Sequence, residues 1–179
     1  MSQITRTWLA FAAIGTALIH LALVISSPLP VGIVLTLVGL AELVWGVAAM
    51  AGTRLLAPRI ALAGAVAPIV LWSIVLLVAV ESSDSAVAEP LRFLPLAIAA
   101  VLELFAAGVL AVHIRRENDG DRPAPVTPTA GKYLLSLFIG AFAVALLTTP
   151  ALAATEAGQF AQPHGQHGVV VEDGGHGGH

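Results

Sequence analysis

The chain has 179 residues, of which 58% are hydrophobic and 11% charged, with a mean hydropathy of +0.91 and a formal net charge of −3. A soluble domain carries about 25% charged residues, so this chain has too little polar surface to face water, and its solvent is lipid. It contains no cysteine, which excludes disulfides, zinc–thiolate sites and thiol catalysis.

The first apolar run, Trp8 to Ile25, follows a short polar end bearing Arg6. It is a full span in length and leads into Ser26-Ser27-Pro28-Leu29-Pro30 without a small-x-small cleavage pattern, so it reads as a retained helix and not as a signal peptide. Further apolar runs follow at about 31–52, 60–80 (with Pro68 near the middle), 91–114 and 133–149. Each is apolar all round, and in lipid every backbone hydrogen bond must close within its own segment, which makes them helices. The expected fold is all-α and polytopic, with five transmembrane helices and a disordered C-terminal tail. Its parts are a four-helix body at 1–116, a Pro-rich linker at 117–131 carrying Pro123, Pro125 and Pro128, a fifth helix at 132–153, and a tail at 154–179.

Orientation follows from the basic residues. Arg6, Arg54, Arg59, Arg115, Arg116, Arg122 and Lys132 fall on one side of the five spans, and only Arg92 falls on the other. The positive-inside rule then puts the N-terminus in the cytoplasm and the tail outside a bacterial plasma membrane. Trp8 and Tyr133 fall near the inner interface, where amphipathic rings are favoured.

Three ionisable residues lie deep inside spans. Glu42 and Glu103 fall near the bilayer midplane, and His20 sits about a turn from the middle of its own run, as does Trp72. An ionised group at that depth costs several kcal/mol, so such residues face the bundle and are paired, protonated or bound to a cation. They are candidates for a proton or cation site; the alternative is hydrogen-bonded polar residues that hold helices together. His113, beside Arg115, reads as interfacial. Glu42-Leu43-Val44 and Glu103-Leu104-Phe105 are each followed by an arginine twelve residues after the Glu, a hint of an internal parallel repeat or of chance similarity in an apolar text. Ser136 with Gly140, and Ala141 with Ala145, follow the small-xxx-small spacing of close helix contacts, within the chain or with a partner.

The last helix runs out at Thr148-Thr149-Pro150, and a polar segment follows. His164 and His167 share the spacing of His176 and His179, with Glu172 and Asp173 between the two pairs. Imidazole nitrogens suit Cu(II) and Zn(II), carboxylates add oxygen donors, and the surrounding glycines let the chain wrap an ion. Ala151-Leu152-Ala153 also imitates a signal-peptidase site, and cleavage after Ala153 would release a His-rich peptide.

The stretch Thr148-Thr149-Pro150-Ala151-Leu152-Ala153, with Thr155-Glu156-Ala157-Gly158 and Pro163-His164-Gly165, resembles the end of small multi-span membrane proteins of high-GC Gram-positive bacteria with His-rich exported tails. The resemblance covers roughly the last 30 residues. It implies no activity, and no site residue is carried over from it. The expected function is capture of divalent copper or zinc by the exported tail, in metal uptake, delivery or sensing. The alternatives are an accessory or scaffold subunit of a membrane complex or homo-oligomer, and a small proton-coupled transporter using Glu42 and Glu103. No nucleophile–base set, phosphate-binding glycine loop or cofactor motif is present, so an enzyme is not expected, nor is a nucleic-acid partner.

Overall fold

The structure is a computed structural model that describes residues 1–82, 93–120 and 128–159. It is all-helical, and five of its helices are long and apolar enough to cross a membrane. These are α1 (Gln3–Leu23), α2 (Leu29–Ala51), α3 (Pro58–Ser82), α4 (Phe93–Asn118) and α5 (Ala130–Ala153); a short α6 (Glu156–Gln159) follows. At 1.5 Å per residue, the 23 residues of α2 reach about 35 Å, enough for a hydrocarbon layer of about 30 Å.

Local chemistry sets the ends. Ser2 caps α1 by accepting from the Thr5 amide at 3.1 Å. Pro30 stands in the first turn of α2, where its missing N–H costs no hydrogen bond. The last helix runs through a proline. Pro150 lies inside α5, which continues to Ala153. The ladder closes beyond the proline, with the Ala154 amide on the Pro150 carbonyl at 3.0 Å. Thr155 then turns the chain, its Oγ1 donating to the Leu152 carbonyl at 2.7 Å. Ala151 and Thr155 are fully buried, and α6 packs against α1, so the end of α5 is pinned to the bundle.

α1 is the centre of the molecule: it packs against α2, α4 and α5, and α3 rests mainly on α4. The core is drawn chiefly from α1 and α4, with Leu9, Ile19, Leu23, Leu102 and Leu110 nearly inaccessible. The outward faces are hydrocarbon. Val44, Ile60, Phe93 and Phe138 are each more than two thirds exposed, a surface that fits lipid and not water. These apolar helices place the chain in a bilayer.

Small residues let the helices approach. Gly32, Gly39 and Gly46 recur every seven residues along α2, and Gly39 and Gly46 lie against the backbone of α1 at Ala17 and Ala10. Ser136 and Gly140 form a notch in α5 that receives Trp8 of α1, whose indole N–H donates to the Ser136 carbonyl and hydroxyl at 3.0 and 2.9 Å. That pair therefore serves packing within the chain. Tyr133 lies near Thr7, their hydroxyls 3.5 Å apart.

Candidate metal centre

His20, Glu42 and Glu103 come from three different helices, and one donor atom from each lies within 4.8 Å of the other two. The meeting follows from helix geometry. Side chains lean toward the N-terminus of their own helix. α1 and α2 form an antiparallel hairpin, so His20 in the last turn of α1 leans away from the loop end of that hairpin. Glu42, about half-way along α2, leans towards it. The close backbone contacts at Gly39 and Gly46, on either side of Glu42, fix the register of the two helices. Glu103 reaches the same point from α4, which packs directly on α1.

The imidazole Nδ1 lies 2.9 Å from Glu42 Oε2, and Nε2 lies 3.7 Å from Glu103 Oε1. The His20 and Glu103 side chains are 1% and 3% exposed, against 14% for Glu42, so the cluster is sealed except at Glu42. A Glu42 carboxylate can only accept, so it takes the hydrogen from Nδ1 and leaves a lone pair on Nε2. That lone pair faces an oxygen of Glu103 across a gap too long for a hydrogen bond. Neither His20 Nε2 nor Glu103 Oε1 has any other hydrogen-bond partner. Among the described residues no lysine or arginine is paired with either glutamate.

A cation seated between the two atoms would satisfy them. His20 Nε2 and Glu103 Oε1 would hold such an ion, and its charge would satisfy both atoms. Each ionised carboxylate deep in a bilayer costs on the order of 3 kcal/mol, and one divalent ion cancels both charges.

No protein family, curated protein or solved structure matches the chain.

Two other candidate residues, Trp72 and His113, fall within the described residues. Trp72 is half-buried against the core around Ile19 and Leu96. His113 pairs with Glu117, one turn on, at 3.4 Å. The tail candidates His164, His167, Glu172, Asp173, His176 and His179 lie outside the described residues, as do Arg92, Arg122, Pro123 and Pro125. The sequence reading missed the glycine stripe of α2 and the partnership of Trp8 with the Ser136–Gly140 notch. The seven-residue glycine spacing was a readable signal for the first; nothing local to Trp8 announced the second.

Proposed function

We propose that this membrane protein handles divalent metal ions. His20, Glu42 and Glu103 form its intramembrane binding centre, and the His-rich tail collects copper or zinc at the exported face, in metal uptake, delivery or sensing. The observation that carries the reading is the pair of buried, unpartnered atoms, His20 Nε2 and Glu103 Oε1, facing each other at 3.7 Å. A polar pair left unpaired in lipid is costly, and a bound cation removes that cost.

The test is metal stoichiometry of the full chain after dialysis against zinc. Changing His164, His167, His176 and His179 to Ala should leave one tightly held ion, and adding His20→Ala should remove it. A tail-substituted protein that holds no ion would end the intramembrane part of the reading. An unaltered stoichiometry would end the part assigned to the tail.

A further inference from the structure

We infer that the centre is a zinc-type site with divided roles: His20 Nε2 and Glu103 bond the ion directly, and Glu42 is a positioning residue acting through the imidazole. The inference rests on the metal-handling reading and adds the class of ion and the part of each residue.

The division follows from which atoms are already engaged. Glu42 Oε2 holds His20 Nδ1 at 2.9 Å, a full hydrogen bond, whereas Nε2 and Glu103 Oε1 are free. A histidine that binds metal through one nitrogen commonly donates the other N–H to a carboxylate, which fixes the tautomer and ring orientation and raises ligand basicity. The His20–Glu42 contact supplies that partner. It also crosses between α1 and α2, so the ring is held by the tightly packed hairpin itself.

The class of ion follows from donor type and spacing. An imidazole nitrogen suits zinc and its neighbours and is a poor donor for magnesium or calcium, which take oxygen. Neighbouring ligands stand about 3.4 Å apart around tetrahedral zinc and about 2.9 Å apart around octahedral magnesium. The observed 3.7 Å lies closer to the former, and the imidazole donor, not the spacing, sets zinc apart from the larger calcium. Two protein ligands leave two tetrahedral positions for water, and the cluster has its one exposed edge at Glu42. An open coordination sphere suits an ion that is passed on, in contrast to a closed structural site.

The experiment uses the full chain with the four tail histidines changed to Ala, in detergent micelles, with helicity checked by circular dichroism. Zinc affinity is measured by competition with a chelator, and zinc X-ray absorption reports bound imidazole. Glu42→Leu should weaken zinc about 10–100-fold while the imidazole signature persists. Glu42→Gln, whose amide oxygen still accepts from Nδ1, should weaken it less. Glu103→Gln should cost more than either, and His20→Ala should abolish the imidazole signature. Excess Mg2+ or Ca2+ should not displace the ion.

If Glu42→Gln were as damaging as Glu103→Gln in folded protein, Glu42 would be a direct ligand and the division of roles would be overturned. Displacement by Mg2+ would overturn the class of ion. Loss of all zinc binding before any change to the cluster would instead remove the underlying reading.

Discussion

The glycine stripe of α2 offers the sharpest test of how packing builds the centre. A methyl group added at Gly32 would meet nothing closer than Val24 Cγ1 at 3.6 Å, an ordinary contact. At Gly46 it would meet Ile14 Cγ1 at 2.9 Å, the Ala10 carbonyl at 3.1 Å and Ala13 Cβ at 3.3 Å. Carbon contacts are comfortable at about 3.5–4.0 Å, so relief at Gly46 needs a shift of roughly 0.5 Å. Two of the three obstacles are backbone or Cβ, so α1 and α2 must part.

Gly46 lies one turn from Glu42. A separation of that size stretches the 2.9 Å His20–Glu42 bond to the edge of hydrogen bonding. Replacing a helical glycine with alanine gains up to about 1 kcal/mol in propensity, while overpacking costs about 1–3 kcal/mol. Gly32→Ala should therefore be neutral or stabilising by up to about 1 kcal/mol. Gly46→Ala should be neutral to destabilising by about 2 kcal/mol, and Gly46→Val should cost more and lower zinc affinity as well. Thermal unfolding in micelles, followed by circular dichroism with and without zinc, measures both effects. Full stability and zinc affinity in Gly46→Val, or equal damage from Gly32→Ala and Gly46→Ala, would refute the close-packing argument.

Three further outcomes are expected. Trp8→Phe removes the indole donor to Ser136 and should destabilise the α1–α5 contact by about 1 kcal/mol, read as a lower Tm; an unchanged Tm would deny that the bond contributes. A synthetic peptide of residues 154–179 should bind Cu(II) more tightly than Zn(II). Because binding needs deprotonated imidazole, with a solvated ring titrating near about 6.5, its affinity should fall as pH drops from about 7 to about 5.5; calorimetry showing no such fall would discount histidine ligation. Reporter fusions at residue 120 and at the C-terminus should report opposite sides of the membrane, and agreement between them would overturn the exported tail.

Much of the molecule is legible in one dimension, because lipid leaves the backbone few options. An apolar run must close its own hydrogen bonds, so span number and helical state follow from composition, and the observed helices begin and end within a few residues of the expected runs. The rise per residue put all three ionisable residues well inside their runs; Glu42 and Glu103 do stand well inside α2 and α4, whereas His20 stands in the last turn of α1. What composition cannot carry is azimuth. Each helix is apolar all round, so no periodicity says which side of α2 or α4 faces α1. Tertiary packing decided that, through Gly39 and Gly46 on one side of α2 and through the direct contact of α4 with α1. The continuation of α5 through Pro150 was decided the same way. A proline reads locally as a stop, but burial of Ala151 and Thr155 against the bundle outweighs one lost backbone bond. Sequence thus determined that three ionisable side chains would be submerged. Only the fold could turn three separate costs of burial into one centre, because a shared site depends on the direction in which each side chain points.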